Sequence, residues 1–582
     1  MKAVMLGNEA VARGAWEAGL HIAAAYPGTP SSEILESISQ YPEIHSEWCT
    51  NEKVALEVAI GASFAGARAL TAMKHVGLNV AADPLFSLSY IGATGGIVVI
   101  TADDPNMHSS QNEQDNRHYA RAAKIPILEP SDSEEARRFT KLALELSEEF
   151  DTPFILRLTT RISHTRTVVN LEEREDIPIK GYKKDFKKRV ILPANARKLH
   201  YKVEERTKKL KGFSNNFEEN RIEEGKSDLG IVTDSISYQY VKEVFPDAWV
   251  LKLAMPWPFP DKLAKEFASK VSRLLCIEEN DPFIEGQMKE LCIKVEGKDK
   301  VPTVLELNPT RVAKSFGIDF GNPVDVKIDD LPPRPPMLCP GCPHTGFFYN
   351  ANKLGLVNTG DIGCYTLGAL PPLNAIDTCV VMGASVTNAY GIQLALRALG
   401  DPDAKKVVGV IGDSTFFHSG ITGLINTYYN GGIGTIVILD NSTTAMTGHQ
   451  GHPGTGKTLM GIPGRKVELT KLIKGIGIEH VYMLDPYDLE KIEKVLKREI
   501  ERDDISVVIV QGPCALIPDF DRKEYYYVDE DKCTDCKLCL RIGCPAISMD
   551  EDYAVIDKYL CTGCSICAQV CPFDAIIQKE DK

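Results

Sequence analysis

The chain has 582 residues, 43% of them hydrophobic and 25% charged, an ordinary globular balance with length for about four domains. A net charge of −14 argues against nucleic-acid or membrane-surface binding. No apolar run reaches membrane-spanning length and the first residues carry no signal-peptide pattern, so a cytoplasmic protein is expected.

The opening segment, GNEAVARGAWEAGLHIAAAYPGTPSSEILESI, predicts a helix, a short strand, a Pro/Gly turn and a second helix capped by Ser31 or Ser32. From Glu52 to Ala67 the chain is rich in Ala and Gly at helical spacing, with Glu52 beside the positive end of the helix dipole. GGIVVITADD (from Gly95) and PFILRLTT (from Pro153) read as strands with polar tips. Between Lys180 and Lys211 the chain is basic. It reads as a solvated helix or insert, the sharper alternative being a surface for acidic ferredoxin or coenzyme A phosphates. DLGIVTDSISYQYVKEVF (from Asp228) is strand then helix, and KVSRLLCIEENDPFIEGQMKEL repeats the pattern. LPPRPPM (from Leu331) is a proline-rich boundary.

Next come CPGCPHTGFF (Cys339, Cys342, His344) and GDIGCYTLGALPP (Cys364). In VVGVIGDSTFFHSGITGLINTYYNGGIGTIVILDNST, Val407–Ile411 and Thr435–Leu439 read as apolar strands and His418–Tyr429 as the helix between them. Ligands of such a βαβ unit bind at the carboxyl ends of its strands, so Asp413 and Asn441 should emerge side by side. A carboxylate and an amide oxygen, joined by a backbone carbonyl and phosphate oxygens, suit Mg²⁺. Gly412 would let the backbone approach the phosphates. The Gly/His loop TTAMTGHQGHPGTG follows, placed to reach a substrate.

The last 50 residues hold eight of the 16 cysteines. CTDCKLCLRIGCP gives Cys533, Cys536, Cys539 and Cys544, and CTGCSICAQVCP gives Cys561, Cys564, Cys567 and Cys571. The second run has the C-x₂-C-x₂-C-x₃-C-P spacing of bacterial ferredoxins, and the first has one extra residue before its last cysteine. Because the fourth cysteine of such a run ligates the other cluster, one [4Fe–4S] site should be Cys533, Cys536, Cys539 and Cys571. The other should be Cys544, Cys561, Cys564 and Cys567. Zinc is the competing occupant, and the spacing suits a cubane better.

These motifs carry a resemblance. Gly412-Asp413-Ser414 and Asp440-Asn441 resemble the diphosphate signature of thiamine diphosphate enzymes, with Ser414 in place of its last glycine and Asp440 in place of its first asparagine. On that resemblance Asp413, Asn441 and the Thr443 carbonyl hold Mg²⁺, and Gly412, Ser414 and His344 contact the cofactor. YPGTPSSE and the following NE resemble the pyrimidine-binding domain of 2-oxoacid:ferredoxin oxidoreductases. Glu52 falls at that family's activating glutamate, a general acid–base group acting through the cofactor, and Thr29 at its substrate-facing threonine. CPGCPH and GDIGCYTLG resemble the large (α) subunit of indolepyruvate ferredoxin oxidoreductase, over essentially the whole chain.

The implied fold is α/β. Residues 1–165 would be a pyrimidine-binding thiamine diphosphate domain, 166–335 a connector and transketolase C-terminal-like domain, 336–525 the diphosphate and Mg-binding domain, and 526–582 an α+β two-cluster ferredoxin. In related enzymes cysteines placed like Cys339, Cys342, Cys364 and Cys514 hold a third cluster; a structural CxxC with two free thiols is the alternative. The implied activity is oxidative decarboxylation of an aryl 2-oxo acid to acyl-CoA, with electrons passing through the clusters to external ferredoxin. A small β subunit would complete a heterodimer or heterotetramer. The rivals are the same chemistry on another 2-oxo acid, a non-oxidative thiamine diphosphate decarboxylase, and an electron-transfer scaffold with a dead thiamine site.

Overall fold

The computed structural model describes residues 1–321, 335–518 and 520–579. The chain divides into two units, Met1–Val326 and Lys327–Lys582. Most of LPPRPPM lies outside the described residues.

The first unit opens with β1 (Lys2–Leu6). A parallel sheet follows, built from β2 (Ile22–Ala25), β3 (His45–Trp48), β4 (Ala69–Lys74), β5 (Ile97–Asp103), β6 (Ile127–Leu128) and β7 (Phe154–Thr159) in the order β3-β2-β4-β5-β7-β6. Strands β4, β5 and β7 are buried along their whole length, which is why they read as near-continuous apolar runs. Strand β8 (Arg166–Asn170) returns to pair antiparallel with β1. Ser31 occupies the N-cap of helix Ser32–Ile38, but neither serine works as a cap. Ser31 Oγ donates to the Gly28 carbonyl (2.8 Å) and Ser32 Oγ accepts from the Gly28 N–H (2.9 Å), so both hold the Pro/Gly turn. Helix Glu52–Phe64 is capped by Asn51, whose side chain accepts from the Val54 N–H.

The basic segment contains the 23-residue helix Pro193–Asn215, which buries Leu199, Val203 and Leu210. Three of its cations reach toward the first sheet, while Lys183, Lys184, Lys187, Arg197, Lys198, Lys202, Lys208 and Lys209 are exposed. Lys188 pairs with Asp151 (2.7 Å), Arg189 donates to Thr94 Oγ1 and lies over Phe64, and Arg206 donates to the Asp151 carbonyl (2.9 Å). Beyond it, β9 (Arg221–Glu223), β10 (Leu229–Asp234), β11 (Trp249–Leu253) and β12 (Arg273–Ile277) form a sheet ordered β12-β10-β11-β9, with only β9 antiparallel. A fully buried charge network ties the unit's two main sheets at their carboxyl ends. Arg117 binds Asp115, Asp234 (2.8 Å) and Glu278 (2.7 Å), while Arg157 binds Asp103 (2.6 Å), Glu129 (3.0 Å) and Asn280 (3.0 Å).

The second unit holds β13 (Val357–Gly360), β14 (Thr378–Cys379), β15 (Val407–Gly412), β16 (Gly434–Asp440), β17 (His480–Leu484) and β18 (Ile505–Gln511) in the parallel order β14-β13-β15-β16-β18-β17. Counting each large sheet from its own first strand, β2 or β13, both run 2-1-3-4-6-5. The chain thus contains one doubly wound topology twice. The helix expected from His418 begins at Asp413 instead, running through a π turn at Phe416–Gly420 into Ile421–Tyr429. The aromatic pair Phe416-Phe417 packs with Ile411 and Leu424 on the helix's buried face.

The C-terminal segment adds two antiparallel pairs, β19 (Tyr526–Val528) with β22 (Ile576–Gln578) and β20 (Ile547–Asp550) with β21 (Tyr553–Ile556). A short helix lies inside each cysteine run. The two span Leu538–Ile542 and Ile566–Val570 and include the third cysteine of each run.

Candidate functional site

In the first unit, the tips of β2, β5 and β7 border an open cavity lined by Thr29, Pro30, Asp104, His108, Ser109, Thr160, Arg161 and His164, with Thr165 completing the wall. Arg161, which sequence reasoning did not place, therefore shares a cavity with Thr29. It pairs with Glu306, which also meets His108 (3.2 Å). Lys74, at the tip of β4, donates to the Ser109 carbonyl (2.5 Å), and burial lowers its pKa to about 8. Glu52 is buried at the start of its helix. It packs so closely on Gly77 that a Cβ there would sit 2.7 Å from Glu52 Oε1.

In the second unit, β15 and β16 pair in parallel with Gly412 opposite Leu439, so Asp413 and Asp440-Asn441 do emerge side by side. Asp413 Oδ1 accepts from the Ser414 N–H (2.8 Å) and Oδ2 from the Ser442 N–H (2.9 Å). Asp440 accepts from Ser442 N–H (2.9 Å) and Gln511 Nε2 (2.6 Å). Burial, and then the charge of Asp413, push the Asp440 carboxyl up to about 6. Two buried carboxylates with this mutual repulsion are what a divalent cation would relieve, so the donor set fits a metal–diphosphate site. Asn441 Oδ1 and the Thr443 N–H meet at 3.4 Å, and Ser414 Oγ accepts from Thr444 Oγ1 (2.9 Å). Gly412 has a reason the sequence did not reveal. A Cβ there would lie 2.6 Å from the ring of Tyr365, so the glycine makes room for that side chain.

The cysteines gather in three cavities. Cys533, Cys536, Cys539 and Cys571 line one, and Cys544, Cys561, Cys564 and Cys567 line another. Cys339, Cys342, Cys364 and Cys514 line the third, together with His344, Asn441 and His449. Burial lowers the His344 pKa to about 4, so its imidazole is neutral there. Burial also raises the thiols of Cys364 and Cys544 to about 11. All 16 cysteines are free thiols. Among the described residues no three cysteine sulfurs lie mutually within 4.8 Å. Four thiolates gathered around one cavity are the donor set a [4Fe–4S] cluster takes. Cys339 lines the second and third cavities alike. The Cys339–Cys342 turn abuts Thr562 so closely, at the left-handed Gly341, that no Cβ would fit.

Comparisons with known proteins agree. Residues 13–210 match the profile described as pyruvate flavodoxin/ferredoxin oxidoreductase, thiamine diP-binding. Residues 361–510 match the thiamine pyrophosphate enzyme, C-terminal TPP binding domain, and 554–577 a 4Fe-4S binding domain. The indolepyruvate oxidoreductase subunit IorA of Archaeoglobus fulgidus is 44% identical over 616 residues, covering 99% of this chain and 97% of that protein. The IorA subunit of Thermococcus kodakarensis is 43% identical, covering 99% and 96%. Among solved structures, a 2-oxoglutarate:ferredoxin oxidoreductase from Magnetococcus marinus aligns with a TM-score of 0.46 at 18% identity. That alignment covers 54% of this chain and 65% of that one. The class is that of thiamine-diphosphate-dependent oxidoreductases that move electrons through iron–sulfur clusters. The chain belongs to the IorA family of indolepyruvate oxidoreductase subunits, within the 2-oxoacid:ferredoxin oxidoreductases. Among the described residues no helix is long and apolar enough to cross a membrane.

Proposed function

We propose that the chain catalyses oxidative decarboxylation of an aryl 2-oxo acid, indolepyruvate by family, to acyl-CoA and CO₂. The C1–C2 bond of the acid breaks, its carboxylate leaves as CO₂, and the acyl carbon joins the coenzyme A sulfur. Two electrons and the thiol proton are released, the electrons one at a time to ferredoxin. Thiamine diphosphate, when bound, supplies the electron sink that makes C1–C2 cleavage accessible.

The residues divide this work. Glu52 relays the activating proton. Thr29 and Arg161 receive the substrate carboxylate, a guanidinium being suited to bidentate contact. Asp413, Asn441 and the Thr443 carbonyl hold Mg²⁺, with Gly412, Ser414 and His344 lining the cofactor site. The three tetrads hold three [4Fe–4S] clusters, the Cys339 tetrad standing beside Asn441 and therefore first to receive electrons. The observation that carries the proposal is the gathering of each cysteine tetrad in one cavity, that of Cys339 shared with Asn441 and His344. The twin sheets and the C-terminal cysteine module favour the four-domain division given above. A small β subunit and ferredoxin are the expected partners, in the cytoplasm.

The test is product analysis after anaerobic turnover of the reconstituted complex with indolepyruvate and coenzyme A. An indoleacetyl-CoA ester is expected. Release of the free aldehyde instead would mean a non-oxidative decarboxylase.

A further inference from the structure

The loop after β16 folds back on the metal carboxylate through a side chain that no motif assigned. Thr444 and Gln450 pair as an isolated antiparallel bridge, which turns the chain round. Two residues later His452, 5% exposed at its side chain, places Nε2 3.0 Å from Asp413 Oδ2. Its other nitrogen, Nδ1, accepts the Gly454 N–H at 3.1 Å. An imidazole nitrogen that accepts carries no proton, so the proton sits on Nε2 and points at Asp413. The ring is held in place: it lies 5.6 Å from Phe417 between centroids, and Gly454 leaves no room for a Cβ beside it, 2.9 Å from His452 Cε1.

We infer that His452 is a positioning residue for the cation site. Together with the Ser414 and Ser442 N–H groups, its Nε2–H holds the rotamer in which the Asp413 carboxylate would meet the cation. A carboxylate ligand held by an outer hydrogen bond loses less freedom on binding metal. Because His452 rides on the same loop as Thr443, seating the metal and seating the loop become one event. This rests on Asp413 being a metal ligand.

The test uses the full chain, titrated anaerobically with Mn²⁺ and followed by electron paramagnetic resonance of the free ion, with and without thiamine diphosphate. His452→Ala is expected to weaken Mn²⁺ binding roughly 10- to 100-fold. His452→Gln, whose amide nitrogen can donate from nearly the same place, should recover most of it. Melting temperatures of the metal-free variants separate positioning from folding. Wild-type Mn²⁺ affinity in His452→Ala overturns the inference, and so does an affinity loss that His452→Gln shares in full. Asp413→Ala is the control on the underlying assignment. If it binds Mn²⁺ like the wild type, the metal assignment is what has failed, whatever His452 does.

Discussion

Gly77→Ala sets the position of Glu52 against the stability of the helix that carries Gly77. Gly77 lies in helix His75–Val80 and is not among the left-handed glycines, so alanine meets no backbone strain there. A Cβ would come within 2.7 Å of both Cγ and Oε1 of Glu52. Carbon–carbon contacts are best near 3.5–4.0 Å, so the Glu52 carboxyl has to retreat by roughly 1 Å. A misplacement of that size at a reacting group costs on the order of 100-fold in rate. In the helix itself alanine is favoured over glycine by about 1 kcal/mol. Activity and stability should therefore part company: kcat/KM falls on the order of 100-fold while the melting temperature holds or rises. The assay is acyl-CoA formation by the anaerobic complex, with iron content and thermal unfolding measured on the same preparation. Glu52→Ala supplies the floor, with turnover abolished and the iron retained. Wild-type turnover by a folded Gly77→Ala would refute the placement of Glu52 as the proton-relaying group.

Cys514→Ser should lose about four of about twelve irons per chain, with the two C-terminal clusters still visible by resonance; unchanged iron would remove the third cluster. Arg117→Met leaves Asp115, Asp234 and Glu278 buried without their cation. It should cost about 3–5 kcal/mol in urea unfolding, and near-wild-type stability would mean the network is not held as described. Burial raises the Glu279 carboxyl from 4.5 to about 7. Because the folded value lies above the unfolded one, the fold binds the extra proton between them and stability falls as pH rises through that window, by about 3 kcal/mol in all. Glu279→Gln should flatten that slope, and an unchanged slope would assign it to another group.

What could be read from the sequence was whatever chemistry fixes by spacing. The cysteine runs were legible because ligand spacing is set by the cubane, and the cysteines grouped across the two runs in the sequence do line common cavities. Val407–Ile411 and Thr435–Leu439 were legible because central parallel strands are buried on both faces, which leaves their polar tips conspicuous. What was hidden depends on contacts far apart in the chain. Arg161 reaches the Thr29 cavity only because β2 and β7 belong to one sheet. The Arg117 and Arg157 networks join residues more than 100 positions apart, and charged residues read as surface until their partners are seen. The packing of Gly412 on the Tyr365 ring was hidden because the glycine pattern alone does not reveal which distant side chain needs the space. His452 lay in a segment that reads simply as a Gly/His loop, and its link to Asp413 exists only once the loop folds back.

The central claim is that electrons taken from an aryl 2-oxo acid leave through this chain's clusters. It is tested by following the visible absorbance of the clusters in the anaerobic complex, supplied with thiamine diphosphate, Mg²⁺ and coenzyme A, as indolepyruvate and then pyruvate are added. Bleaching on indolepyruvate, with little on pyruvate, is the expected result. Clusters that stay oxidised at full cofactor occupancy would contradict it.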